Sequence, residues 1–324
     1  MLWLDNTTLR AVATCSTQAA LRHVLGYVMA GEEFAAPLVC GSATHEALAE
    51  YFRGKSAAEA LAVYETLYRD ASVLHGLDDP QHPLGLDDPK HPLARLSYSN
   101  TRAILAEWFE THPLRAFPFR VRPEHVEVGF SVSLADDVAF VGRLDAIVEG
   151  DDGWYVLDHK TTGRLSPATA ERYRMDSQMS GYVWAAQQTL GLPIRGVYIN
   201  AIEYALLPKS TRSCKTHGVP YYECGPLHAR SELLLFTRTP DQLDAWRQSA
   251  LALAERYRAL QNSVQTLEDL TAVPQEGTFS GACGQCLFQR FCAAGRPVAY
   301  GHAMLTHQPW EPFPIKEPNA SNTD

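Results

Sequence analysis

No stretch of this 324-residue chain approaches the ~20 consecutive apolar residues that a membrane-crossing helix needs. The opening MLWLDNTTLR places Asp5 where the apolar part of an export signal would lie. No secretion signal is therefore read, no membrane association is expected, and a cytoplasmic, reducing setting is. Positive charge is also scarce: 28 Lys and Arg stand against 37 Asp and Glu, a formal net charge of −9. A protein that coats nucleic acid non-specifically needs a broad basic surface, which this balance does not supply. It leaves room for an enzyme that gathers carboxylates around a metal and grips one strand in a local basic groove. The cysteines, at 15, 40, 214, 224, 283, 286 and 292, are odd in number and make a poor disulfide framework. In a reducing compartment, clustered cysteines more often bind metal. A nucleotide-driven motor is excluded too. Gly54-Lys55-Ser56 imitates the end of a phosphate-binding loop, but Ala49 stands where its first glycine is required. No Gly-x-Ser-x-Gly nucleophile elbow occurs.

What is present is a globular composition, 46% hydrophobic and 20% charged, enough for a sizeable core. The length suits one large domain, expected over residues 1–304, followed by a polar, Pro-rich and poorly ordered tail at 305–324. Helical patterning runs over 7–29, from Gly41 to Phe52, over 57–74 and over about 95–110. Between the last two, GLDDPQHPL (76–84) is repeated at once as GLDDPKHPL (85–93). Its prolines forbid regular helix, and a duplication inside a surface insertion loop, 75–94, is expected.

The middle of the chain alternates. Val126, Val128, Phe130, Val132 and Leu134 share one face of a strand. Turns at Ala135-Asp136-Asp137 and Asp151-Asp152-Gly153 separate it from strands at 138–149 and 154–160, an antiparallel meander. A single long helix is predicted over 167–190, capped by Ser166 with Pro167 first. Strands at 194–207 and 231–238 and a helix at 240–263 follow. The fold class is α/β: a central mixed sheet built on the meander, flanked by helices, with one parallel crossover through 167–190.

Strand parity puts Asp158 and Lys160 on one side of the third strand and His159 on the other. Asp145 lies near the end of the neighbouring strand, so two carboxylates and a lysine can converge at one sheet edge. Carboxylate oxygens hold Mg²⁺ or Mn²⁺, and a lysine can orient the attacking water or stabilise charge on a phosphoryl group. Asp-x-Lys by itself is a weak signal, and a solvated strand end explains most isolated matches. Here it follows the buried pattern Trp154-Tyr155-Val156-Leu157, a costly place for unused charge.

GRLDAIVE (142–149) followed by WYVLDHKTTG (154–163) resembles motifs II and III of the RecB-like PD-(D/E)XK nucleases. His45 in GSATHEAL resembles the motif I histidine, and Gln178 and Tyr182 in QMSGY resemble the Q-x-x-x-Y signature of that branch, one helical turn apart. The resemblance implies a restriction-endonuclease-like core. It further implies metal ligation by His45, Asp145 and Asp158 with the backbone of His159, catalysis by Lys160, and substrate contact or support by Gln178 and Tyr182. It implies exonuclease action on DNA single strands or ends. Without a motor of its own, the chain would act there alone or with a helicase or recombination partner. Glu127, opposite the motif II strand, is a further acidic candidate. The chief rival is a DNA-binding or assembly subunit that keeps the fold without cleaving; a redox protein and a zinc-stapled protein of other activity are the remaining ones.

Cys283, Cys286 and Cys292 form C-x₂-C-x₅-C, a density of thiolates suited to an iron–sulfur cluster or zinc. A fourth ligand is needed. Cys15 is the candidate and Cys40 its rival, although Cys40 lies in an apolar run and reads as a small buried hydrophobe. Cys214 and Cys224 read as incidental. The layout resembles iron–sulfur RecB-type nucleases, in which one cysteine precedes the core and three follow it. That implies a [4Fe–4S] cluster on Cys15, Cys283, Cys286 and Cys292, stapling the chain ends and the C-terminal patch together.

Overall fold

The computed structural model describes residues 1–30, 36–74, 94–205, 218 and 229–312. The whole tandem duplication (76–93), together with Cys214, Cys224 and residues 313–324, lies outside the described residues. The chain runs through β1 (Leu2–Leu4), α1 (Asn6–Thr14), α2 (Ser16–Ala19) with a π-helical turn at Ala20–Val24, and β2 (Tyr27–Met29). Then come α3 (Ala36–Phe52), α4 (Ala57–Leu74), α5 (Tyr98–Thr111), β3 (Phe119–Ala135), β4 (Val138–Gly150) and β5 (Gly153–Thr162). The rest is α6 (Pro167–Arg174), α7 (Ser177–Leu190), β6 (Ile194–Glu203), β7 (Ser231–Thr237), α8 (Pro240–Ser263), short turns through the cysteine patch, and β8 (Leu305–His307).

The sheet order is β1-β4-β5-β6-β7, with β3 paired to β4. The meander β3-β4-β5 is antiparallel, and β6 joins β5 in parallel after the helical crossover, as the alternation, the turns and the intervening helix predict. β1 adds a second parallel pairing, on the first residues of β4, that its three residues were too short to announce. Central strands carry apolar residues on both faces. One core packs Phe130, Phe140, Val156, Val183 and Trp246 beneath α7 and α8. The other packs Phe52, Tyr64, Trp108, Val148 and Leu157 beneath α3, α4 and α5. Gly142 stands opposite Phe130, and a Cβ there would come within 2.7 Å of that ring, so the close approach of ring to strand requires glycine.

Two expected helices are broken, each for a reason legible in its hydrogen bonds. The 7–29 helix stops at Cys15, which is extended (φ −164°), because the amide of Thr17 and the amide of Ser16 bond to Pro274 and Glu276 instead. The 167–190 helix breaks at Met175-Asp176, where the Asp176 carboxylate caps α7 by accepting from Gln178 N at 2.8 Å. The buried Arg238 straddles that break, donating to Ser180 Oγ at 2.9 Å and to Tyr173 O at 3.4 Å.

The tail expected to begin at 305 starts instead with a paired strand, since β8 lies antiparallel to β2. Beyond it, Trp310 packs edge-on to His23 at 4.9 Å, and the Arg22 guanidinium lies 4.8 Å over its ring. His23 is buried, its Nδ1 3.2 Å from Thr8 Oγ1. Burial, helped by the Arg22 charge, pulls its pKa from 6.5 down to about 4. Its folded pKa lies below the unfolded one, so between those values the unfolded chain binds a proton that the folded chain refuses. This contribution is fully present above about pH 6.5 and drains away towards pH 4, by up to about 3 kcal/mol. Urea melts at pH 7 and 4.5 should show that loss in the wild type and a smaller one in His23→Gln.

Candidate active site

The ladder between β4 and β5 ends at the pair Ala146–Leu157. Beyond it the strands part, and the next residue on each side is an aspartate. Asp145 Oδ2 accepts from the amide of His159 at 2.6 Å, so a carboxylate takes the place of the missing ladder bond. β5 continues on β6, with Asp158, His159 and Lys160 opposite Ile199, Asn200 and Ala201. Asp158 and Lys160 turn towards α7, where they form a 2.6 Å ion pair beside Gln178, whose amide donates to Tyr182 OH at 2.9 Å. From the other face, α3 brings His45 Nδ1 to 3.1 Å from Asp145 Oδ1. His45, Asp145, Asp158, Lys160, Gln178 and Tyr182 therefore converge. The His159 ring borders them from the α3 side: it lies edge-on to the His45 ring at 6.0 Å and 5.1 Å from the Phe52 ring, with Nδ1 3.0 Å from Asn200 Nδ2. Asn200 escaped sequence reading because no motif marks the strand that carries it.

The charges at this edge are set by burial and by one another. Burial raises Asp158, and the neighbouring Asp145 carboxylate adds to the rise against the pull of Lys160. Burial alone would raise Asp145 too, but His45 outweighs it and holds that carboxyl low. Lys160 is held well above the ordinary lysine value because the two aspartates outweigh its desolvation. Burial lowers the His159 imidazole to about 3, so that ring is neutral. Burial likewise raises the Tyr182 phenol, which stays protonated beside Asp158.

A second charged group flanks the first. Arg143 lies two residues before Asp145 and faces the same helix. Its Nη2 reaches Glu46 Oε1 at 3.5 Å, next to His45, and its Nε meets the Glu127 carboxylate. Glu127 takes a left-handed backbone conformation (φ 59°), uncommon for a side chain other than glycine, just after β3 shifts register between Val121 and Val126. Burial raises its pKa to about 7 against the pull of Arg143. The acidic residue suspected from sequence is thus at the site, but held through an arginine that sequence reading passed over.

The cysteines fall into two groups. Cys15, Cys283, Cys286 and Cys292 line one cavity of about 250 Å³. A Cβ on Gly277 would lie 3.4 Å from Cys283 Sγ and 3.6 Å from Cys15 Sγ, so the chain at Gly277 passes beside both thiols. Burial raises Cys292 to about 11, and Cys286 and Cys15 add to the rise. Cys40 is remote from them, buried in the core under α3 with its sulfur 3.6 Å from Tyr64 OH.

The description of the PD-(D/E)XK nuclease superfamily matches residues 6–293, most of the chain. This protein belongs to the PD-(D/E)XK nuclease superfamily. No curated protein matches it. Among solved structures it is similar to a candidate exonuclease from Eubacterium rectale, at 10% identity and a TM-score of 0.44, with 81% of this chain and 82% of that one covered. It is also similar to a protein named SSO0001, at 15% identity and a TM-score of 0.27, covering 74% of this chain and 80% of that one. Both likenesses are too low to add to the family assignment. Among the described residues no helix is long and apolar enough to cross a membrane.

In this PD-(D/E)XK nuclease, the donor set at the splayed strands suits a hard divalent cation: two carboxylates and an imidazole. Asp158 Oδ2 is buried and has no well-directed hydrogen bond, although Lys160 Nζ is near. Among the described residues no three His, Cys, Asp or Glu side chains close on a single point, so a cation entering here displaces existing pairings. The cysteine cavity is braced differently. Glu276 accepts from both the amide and the hydroxyl of Ser16, at 2.8 and 2.9 Å, and also pairs with Arg256 of α8. It caps α2 from the far end of the chain and so fixes the residue after Cys15. Glu276→Ala should lower stability by about 1–2 kcal/mol, the usual worth of a lost cap, read as an earlier urea midpoint.

Proposed function

We propose that this nuclease is a Mg²⁺- or Mn²⁺-dependent DNA exonuclease of the RecB-like branch, acting on single strands or DNA ends and carrying a [4Fe–4S] cluster on Cys15, Cys283, Cys286 and Cys292. The observation that carries the reading is the convergence of two ion-paired couples, His45–Asp145 and Asp158–Lys160, where β4 and β5 part, with Gln178 and Tyr182 alongside on α7. A divalent cation bound by these residues would polarise the phosphoryl group and lower the pKa of a bound water. Asp145 and Asp158 would supply the oxygens that hold it, and His45 a nitrogen. Lys160 keeps its proton, so it stabilises charge developing on the phosphoryl oxygens rather than acting as a base. Tyr182, also protonated, accepts from Gln178 Nε2 and would offer its hydroxyl proton to substrate at the same edge. The amide of His159 fixes the Asp145 rotamer. Asn200 holds the His159 ring by its Nδ1, edge-on to His45.

Four thiols lining one cavity are a ligand set of the number and kind that a [4Fe–4S] cluster takes. Such a cluster fits a protein kept in a reducing cytoplasm. With no phosphate-binding loop in the sequence, duplex opening would be left to a helicase partner. The test is incubation of anaerobically purified protein with end-labelled single- and double-stranded DNA. Stepwise shortening that requires Mg²⁺ or Mn²⁺ supports the proposal. Internal cuts on closed circles would replace exonuclease by endonuclease action. No cleavage by cluster-loaded protein would favour a non-catalytic subunit.

A further inference from the structure

Two carboxylates hold Arg143 among its contacts, and their grips differ. Glu127 meets its Nε from within the protein, with the Glu127 side chain only 7% exposed. Glu46 reaches its Nη2 from α3 at 3.5 Å, a long contact, with a side chain 41% exposed. The Arg143 side chain is 35% exposed. Arg143 also shares a strand face with Asp145, and the two reach adjacent residues of one helix, Glu46 and His45. A positive group is therefore fixed beside the proposed metal edge, anchored on its buried side and loosely covered on its open side. The anchor sits on strained backbone: Glu127 adopts φ 59° beside a register shift that turns its carboxylate inwards. Strain of this kind persists where the surroundings enforce it, and it clusters at working sites.

We infer that Arg143 is a substrate-positioning residue that contacts a backbone phosphate of the nucleic acid next to the scissile bond, with Glu127 as its anchor and Glu46 as a carboxylate the phosphate displaces. The inference rests on the nuclease reading and adds a phosphate subsite to it. A guanidinium is matched to phosphate oxygens in geometry and charge. Of these two carboxylates, the exposed Glu46 on Nη2 is the weaker competitor with phosphate.

The two carboxylates then have opposite effects, which a structural role does not predict. Binding of a fluorescent single-stranded oligonucleotide is measured across a salt series, with Ca²⁺ in place of Mg²⁺ to suppress cleavage. Arg143→Gln should weaken binding on the order of tenfold. It should also flatten the slope of log K against log salt by about 0.7, the share of one single-strand phosphate. Arg143→Lys should keep the wild-type slope. Glu46→Gln should tighten binding, and Glu127→Gln should weaken it although it too removes a negative charge. An unchanged slope in Arg143→Gln, or tighter binding in Glu127→Gln, overturns the inference while leaving a cleaving wild type intact. A wild type that neither binds nor cleaves DNA overturns the inference and the nuclease reading together.

Discussion

Lys160→Ala will reduce the single-turnover rate of phosphodiester cleavage by on the order of 10²- to 10³-fold, the usual cost of removing a preorganised charge from the transition state. The loss will fall on kcat more than on KM, because Lys160 is paired with Asp158 in the resting protein and its remaining contribution is to developing charge. The variant should also free Asp158. That carboxylate loses the ammonium 2.6 Å away and keeps its burial, so its pKa should rise further. Cleavage by Lys160→Ala should therefore fall off at a higher pH than cleavage by the wild type as the medium is acidified. Lys160→Arg keeps the charge but not its position, and its rate should lie between the two. A Lys160→Ala protein that cuts at the wild-type rate would remove this residue from the reaction.

The second large effect is expected at the cysteine cavity. Cys286→Ser should abolish the visible absorption of anaerobically purified protein and its bound iron, whereas Cys40→Ser should leave both unchanged, since Cys40 lies in another core beside Tyr64. A cluster bridging Cys15 to Cys283 closes a loop of nearly the whole chain. On the chain-entropy relation such a tie stabilises the fold by up to about 5 kcal/mol. The contacts of Ser16, Thr17 and Arg256 with residues 273–276 retain part of that closure without metal. The melting point of Cys286→Ser should accordingly drop sharply while the protein stays folded at low temperature. Protein that is colourless yet holds stoichiometric zinc would replace the cluster by a zinc site.

Much of the site could be read before the structure because phosphodiester chemistry demands residue types at fixed parities. Asp158 and Lys160 had to share a strand face, and Gln178 and Tyr182 a helix face; both do. The antiparallel meander followed from period-two alternation and two acidic turns. What stayed hidden depends on partners distant in sequence. The break after residue 15 is set by Glu276, 260 residues away, whose carboxylate takes the Ser16 amide. Without that cap the 7–29 pattern reads as one helix, and Cys15 as a helical residue rather than one at a junction. The break at Met175-Asp176 was local and could have been found. Asp176 is a good cap, and it was passed over because apolar periodicity continued on both sides. Arg143 was visible within GRLD, but its role depends on Glu46 and Glu127, from a helix and a bulged strand that only folding brings together. β1, β2 and β8 were missed because three residues carry no periodicity.

The central claim, that the splayed aspartates form a metal-dependent nuclease centre, is tested most directly by one comparison. Wild type and Asp158→Asn, both purified anaerobically and both loaded with cluster, are incubated with end-labelled single-stranded DNA over a Mn²⁺ series. Asp158→Asn preserves shape and removes the charge that would hold the cation. The account predicts Mn²⁺-dependent shortening by the wild type and none by the variant at any concentration. Equal cleavage by the two proteins, or wild-type cleavage that persists in excess chelator, would contradict it.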